Sequence, residues 1–344
     1  MRIAIISPVW FPVPPSGYGG VEWIVSLLAD GLAEAGHEVT LFASGDSATK
    51  GELASVFPEA PSAEIGKAAP DLRHALSCYE RADEFDIVND HSGTLAAALG
   101  GLVETPVVHT VHGPLTGADG EVYVSLARVA PQVGLISVSL NQRKPQPDLP
   151  WVANCHNALD LDSYPVHTER GEYLLFLGRM SADKGCHRAV EVAREAGLPL
   201  RIAGKMREPA EREYFEEHVG PYLGNGIEYL GETTHAKKVA LLQNARATLF
   251  PIEWEEPFGL VMIESMACGT PVIATRWGAV SEVIEQGRSG MIVDDYREMA
   301  DALPDADRLE PLACREWVEE HFSAARMVED YVEAYEVVLA RAPA

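Results

Sequence analysis

The sequence predicts two α/β domains, each built on a doubly wound parallel sheet, and three observations carry that prediction. Short continuous apolar runs recur along the whole chain, as strands buried on both faces of a parallel sheet require. Helical periodicities stand between these runs, so strands and helices alternate. The 344 residues also exceed what one core organises, which makes two domains of roughly 150 residues each the expectation. Ligands of such sheets lie at the carboxyl ends of the strands, here in a cleft between the domains.

The elements follow in order. RIAIIS (2–7) is a buried strand, and the loop PVWFPVPPSGYGG (8–20) is rich in proline and glycine. VEWIVSLLADGLAEAG (21–36) places Ile24, Leu27, Leu28, Leu32 and Ala35 at helical spacing, with Gly36 as its stop. EVTLFAS (38–44) completes a βαβ unit, and the pattern recurs through DIVNDH (86–91), TPVVHTVHG (105–113) and GLISVS (134–139). Residues 140–170 are polar and proline-rich, which puts the domain junction near 157–168 and gives domains 1–160 and 161–322. A second series starts at YLLFLG (173–178). It runs through a helix at 184–197, LPLRIAG (198–204), IEYLGE (227–232), ATLFP (247–251) and TPVIAT (270–275). An amphipathic helix within 323–344 closes the chain and is expected to pack back on the first domain.

The formal charge is −25, with 8 basic against 18 acidic residues in 1–150 and 19 against 34 in the rest. Neither half offers the basic footprint that nucleic acid or an anionic membrane demands, so no nucleic-acid partner and at most weak peripheral membrane contact are expected. The charge itself reads as solubility. The five cysteines lack C-x-x-C spacing, which points to free thiols in a reducing compartment. The apolar N-terminal run is too short for a signal sequence, and no run of 18 apolar residues occurs. These features predict a cytoplasmic protein and leave its oligomeric state open.

The stretch EWEEPFGLVMIESMACGTPVIA (253–274) carries Glu264 inside an otherwise apolar segment. A buried carboxylate needs a partner. Pro257 favours a first helical turn, so a helix is expected to start there, with Glu256 in the preceding loop. Amides at Phe258, Gly259 and Leu260 would then form an anion site at its positive end. Glu264 would lie about 12 Å further along, some two turns. Carboxylates on both sides of an anion site suit a nucleotide sugar. The plainer reading leaves Glu256 solvated and pairs Glu264 with a distant arginine or a backbone group. In LGRMSADKG (177–185), Arg179 follows a strand and Lys184 is expected to open the next helix, where two cations suit a diphosphate. Surface pairing of these cations with Asp183 or Glu191 is the plainer alternative.

GYGG (17–20) lets backbone approach a phosphate, although it is not G-x-G-x-x-G and Asp46 comes late for a dinucleotide fold. His112 falls at the carboxyl end of a strand and faces the cleft, whereas His109 reads as a satisfied core histidine. A metal site from these with His91 and His156 lacks a supporting motif, so no metal is assigned. Asp160-Leu161-Asp162 reads as a linker turn.

Together these pieces resemble the retaining family 4 glycosyltransferases of the two-domain GT-B fold. The matching stretches are GYGGVEWIVSLLADGLAEAGHEVTLFA, TVHGP, LGRMSADKG, EPFGLVMIE and ACGTPVIAT-x-x-G. The resemblance implies two Rossmann-like domains facing across a cleft. It implies that Glu256 lies at the donor sugar and that Glu264 holds the ribose hydroxyls. Arg179 and Lys184 would hold the diphosphate, Gly19 and Gly20 would approach the phosphates, and His112 would contact the sugar. Backbone at Tyr229, Leu230 and Gly231 would border the base. Three departures stand out: Asn157-Ala158 after the linker strand, Gly278-Ala279-Val280-Ser281-Glu282 in place of Gly-Gly-x-Pro-Glu, and Pro251-Ile252 in place of Pro-Ser.

The sequence therefore predicts a metal-independent retaining hexosyltransferase. Its expected donor is a nucleoside diphosphate sugar, UDP ahead of GDP, with a hydroxyl acceptor and no further cofactor. The alternatives are a nicotinamide-dependent oxidoreductase on a Rossmann frame and a catalytically silent sugar-nucleotide binding protein.

Overall fold

In the computed structural model, which describes residues 1–17 and 19–341, the apolar runs become strands of two all-parallel sheets. The chain divides into one unit of Met1–Ala158 with the segment from Ala324 onward, and a second of Leu159–Ser323.

The first sheet contains β1 (Arg2–Ile6), β2 (Glu38–Phe42), β3 (Glu52–Ala54), β4 (Ile87–Asp90), β5 (Val107–Val111), β6 (Gly134–Ser137) and β7 (Trp151–Asn154), in the order β3-β2-β1-β4-β5-β6-β7. Its central strands β4, β5 and β6 are buried throughout, and their apolar residues give the sequence signature, although β4 also buries Asn89 and Asp90 and β5 buries His109 and Thr110. β3 and β7 are the two edges and are only partly covered, so neither has the apolar signature, and β7 falls in the stretch expected to be irregular. The helix Gly20–Glu34 buries Ile24, Val25, Leu28 and Leu32, whereas Leu27 is only half-buried and Ala35 is exposed.

The helix Ala324–Leu339 packs on that helix and on β7, so it belongs to the first unit. Two buried tyrosines anchor it. Tyr335 Oη accepts from Asn89 Nδ2 at 2.7 Å, and Tyr331 Oη donates to Thr110 Oγ1 at 3.2 Å.

The second sheet contains β8 (Tyr173–Leu177), β9 (Leu200–Ala203), β10 (Ile227–Tyr229), β11 (Ala245–Phe250), β12 (Val272–Thr275) and β13 (Gly290–Val293), in the order β10-β9-β8-β11-β12-β13. Its core joins Leu174, Phe176, Ile202, Leu249 and Ile273 of the sheet to Ala189, Val192 and Met299 of the covering helices. All five cysteines are free and buried. No helix among the described residues is long and apolar enough to cross a membrane.

Candidate functional site

The second sheet reverses its strand order between β8 and β11, and loops leaving such a switch point diverge and open a crevice at the carboxyl ends. After β8, the Gly178 N–H extends the ladder to Ala203 O at 3.1 Å, and Arg179 follows. Its guanidinium lies 3.3 Å from Asp183 and 3.9 Å from Glu211. Lys184 does not open the next helix. That helix is Cys186–Ala196 with Gly185 as its N-cap, so Lys184 stands in the turn before it. This turn is tied to the loop after β11, where Arg188 Nη1 donates to Pro251 O at 3.0 Å and Arg188 also pairs with Glu253. The tie brings Lys184 Nζ into an ion pair with Glu256, and the ammonium sits 4.5 Å from the centre of the Trp254 ring.

Glu256 is buried, and its backbone is clasped on both sides. Its N–H bonds to Trp254 O at 2.9 Å, and its carbonyl accepts from Ala279 N at 3.0 Å. The helix expected at Pro257 starts instead at Leu260 and runs to Ala267. Gly259 turns the chain with φ of +87°, a conformation most L residues avoid, so Pro257 and Phe258 remain in the loop. Phe258 is buried against Phe322, ring centroids 5.8 Å apart. The Met262 N–H bonds to Gly259 O at 3.0 Å, which leaves the Leu260 and Val261 N–H groups at the open helix end. Glu264 consequently stands one turn into the helix, about 6 Å of rise beyond Leu260, and only the second half of the stretch from Glu256 is helical.

Glu264 is buried, and its partners are neither an arginine nor a backbone group. Oε1 accepts the Tyr164 hydroxyl at 2.8 Å and also the Lys238 ammonium. Tyr229 ends β10, an edge strand of the second sheet, and Leu230 and Gly231 follow it. The Leu230 N–H and the Gly231 carbonyl are engaged with Ile202 O and Gly204 N, at 2.8 and 3.1 Å.

In the first unit the switch point lies between β1 and β4. Gly19 is the N-cap and Gly20 the first residue of the helix that follows β1, while Tyr18 lies outside the described residues. In that first turn Glu22 is buried, and burial pushes its carboxyl up to about 7. His112 follows β5 and is half-buried. Its Nε2 meets His91 Nδ1 at 2.9 Å, so one ring donates and the other accepts. Burial, with His109 nearby, lowers His112 to about 3, so the ring is neutral at ordinary pH. His109 is a satisfied core histidine, with Nδ1 2.6 Å from Asp90 Oδ2 and Nε2 2.9 Å from Tyr123 Oη. Asp46 is spent on the Ala60 N–H at 3.2 Å, and Asp160 on the Asp162 N–H at 3.2 Å.

Comparison with known proteins decides the family. Residues 164–313 match the family described as Glycosyl transferases group 1, and residues 18–133 match Glycosyltransferase Family 4, together more than half of the chain. The chain is a family 4 glycosyltransferase. It is 29% identical to a phosphatidyl-myo-inositol mannosyltransferase of Mycolicibacterium smegmatis, with 88% of this chain and 84% of that protein covered. AviGT4, a glycosyltransferase involved in avilamycin A biosynthesis, superposes with a TM-score of 0.72 at 25% identity, covering 99% of both chains. HepE of Anabaena, solved in complex with UDP and glucose, has a TM-score of 0.74 at 17% identity over 98% of this chain and 99% of its own. Both sheets of the glycosyltransferase are thus those of the GT-B fold.

Several residues around the glycosyltransferase's candidate site were not foreseen. Lys205 follows β9 as Arg179 follows β8, and Glu211 lies 3.8 Å from Lys205 and 3.9 Å from Arg179. LFLGR and RIAGK share the pattern of apolar strand, glycine, cation, and that repetition was the available signal. Nothing local in the sequence distinguishes Lys238 from Lys237, or marks Tyr164.

Proposed function

We propose that this glycosyltransferase moves a hexose-type sugar from a nucleoside diphosphate to a hydroxyl acceptor, with retention at the anomeric carbon and without a metal ion. The observation that carries this reading is the Lys184–Glu256 ion pair at the carboxyl edge where β8 meets β11. It sets a cation suited to the departing diphosphate directly beside a carboxylate suited to the sugar. Arg179, on the same loop as Lys184, adds a second cation. In the proposed step the bond from the anomeric carbon to the phosphate oxygen breaks. The acceptor oxygen bonds to that carbon from the same face, and its proton goes to the departing phosphate oxygen. Arg179, Lys184 and the open N–H groups at Leu260 and Val261 stabilise the charge that grows there. Glu256 positions the sugar and steadies its positive charge, and Glu264 accepts the ribose hydroxyls. Backbone at Tyr229, Leu230 and Gly231 borders the base. Within the first unit, Gly19 and Gly20 end the loop after β1 and the neutral His112 follows β5, at the carboxyl ends of the strands where ligands of such sheets bind.

UDP is placed ahead of GDP because the same fold holds UDP and glucose in HepE. The acceptor is proposed to be soluble, since a chain of net charge −25 offers little to an anionic bilayer. The buried free thiols suit the cytoplasm. The test is a panel of UDP and GDP sugars, with and without EDTA, scored for nucleotide release and for the anomeric configuration of the product by NMR. Release unaffected by EDTA, with a retained anomer, is expected. An inverted product, or activity abolished by EDTA and restored by a divalent ion, would overturn the mechanism.

A further inference from the structure

Three separate elements converge on Glu264. Tyr164 follows a short helical turn at Leu161–Ser163, Lys238 projects from the helix His235–Gln243, and Glu264 lies in the helix Leu260–Ala267. The Tyr164 hydroxyl and the Lys238 ammonium both reach the same carboxylate oxygen, Oε1. Tyr164 is 6% exposed, and its ring is fixed edge-on against His235 with centroids 5.0 Å apart. Lys238 Nζ stands 5.5 Å from the centre of that ring. Oε2 takes no hydrogen bond from the described residues.

A carboxylate offers about four lone-pair positions. Here the two on Oε1 are filled from two directions, which fixes the last side-chain torsion. Lys238 balances the charge, and burial together with the adjacent Glu264 holds the Tyr164 hydroxyl well above its usual range, so it stays a donor. The lone pairs of Oε2 are then presented in one orientation, suited to two neighbouring hydroxyl donors.

We infer that Tyr164 and Lys238 are positioning residues that make Glu264 selective for a vicinal diol, the ribose of the donor nucleotide, by occupying Oε1 and presenting Oε2. The inference rests on the donor-site reading proposed above. It gives the site a specificity for ribonucleotides over 2′-deoxyribonucleotides that depends on residues not touching the ligand.

The experiment measures calorimetric affinities for UDP and GDP and for their 2′-deoxy counterparts. It compares the wild-type chain with Glu264→Ala, Tyr164→Phe and Lys238→Met. The wild type is expected to favour the ribonucleotide by about tenfold or more, the scale of a hydrogen bond to a charged group. Glu264→Ala should abolish that preference, and Tyr164→Phe and Lys238→Met should each cut it by about threefold or more, with affinity for the 2′-deoxy nucleotide nearly unchanged. A merely structural role would weaken both nucleotides equally. Full preference in both Tyr164→Phe and Lys238→Met, with preference lost in Glu264→Ala, would overturn the positioning role and leave the donor site standing. Retained preference in Glu264→Ala, or no binding of either ribonucleotide to the wild type, would overturn the donor-site reading and this inference with it.

Discussion

Replacing Lys184 by methionine keeps the aliphatic stem and removes the ammonium, which isolates its contribution. The Glu256 side chain is 11% exposed and that of Lys184 21%. Removing one partner of a fully buried ion pair costs about 3–5 kcal/mol, because the other charge is left uncompensated. Partial access of water at Lys184 reduces this to about 2–3 kcal/mol, and the lost contact with Trp254 adds about 0.5–1 kcal/mol. Thermal unfolding should therefore fall by about 5–15 °C for a unit of this size. Turnover should fall by at least ~100-fold, as when one preorganised charge-stabilising group is lost. The informative partner is the double variant Lys184→Met with Glu256→Gln. With neither charge left alone, stability should recover by most of the lost amount, while turnover should stay low. Near-normal turnover in Lys184→Met would refute the role of the ammonium. An unchanged melting temperature would refute the claim that the pair is buried and mutually compensating.

The remaining predictions test the supports of the site and the first unit. Gly278 has φ of +56°, and a Cβ there would collide with the backbone N, O and Cα of Glu256. Gly278→Ala should thus displace Glu256 and cut turnover at least ~10-fold, with a stability loss of about 1–3 kcal/mol seen in denaturant titration. Glu22, raised from 4.5 to about 7 by burial, binds its proton more tightly in the folded state. Its contribution to stability is therefore full below pH 4.5 and lost as pH rises through 7, by up to about 3 kcal/mol. Glu22→Gln should remove that decline when unfolding free energies at pH 5 and 8 are compared. Tyr335→Phe leaves the buried Asn89 amide without its 2.7 Å partner and should cost about 1–3 kcal/mol by the same titration.

What the sequence revealed depended on how locally each feature is encoded. Buried strands such as β1, β5 and β8 announce themselves because both faces are covered and most of their residues are apolar. The edge strands β3 and β7 are half-solvated and short, and β7 consequently vanished into a proline-rich stretch. The positions of Arg179, Lys184, Glu256 and Glu264 along the chain were readable, since each follows a strand or sits in an apolar segment. Their partners were not. The Lys184–Glu256 pair spans 72 residues and the Lys238–Glu264 pair 26, and only the assembled sheet edge brings them together. The helix start was misplaced because proline's preference for a first turn competes with glycine's access to positive φ. At Gly259 the tertiary path of the loop favoured the glycine.

The charge around the candidate site bears on how an anionic donor is held. Arg179, Lys184 and Lys205 supply three cations, and the carboxylates paired with them are Asp183, Glu208, Glu211 and Glu256. The cluster has no net positive charge, and the whole chain is at −25, so no long-range field draws a diphosphate in. Recognition in the proposed reaction must then come from direction rather than from attraction at a distance. Lys184 is held by the buried carboxylate of Glu256, and the open N–H groups at Leu260 and Val261 are fixed by their helix. Such groups gain most when charge develops on the leaving phosphate, because they are already aimed and need no reorganisation. In the proposed reaction such a site binds its ground-state anion modestly and its transition state well, which is the differential that the transfer needs.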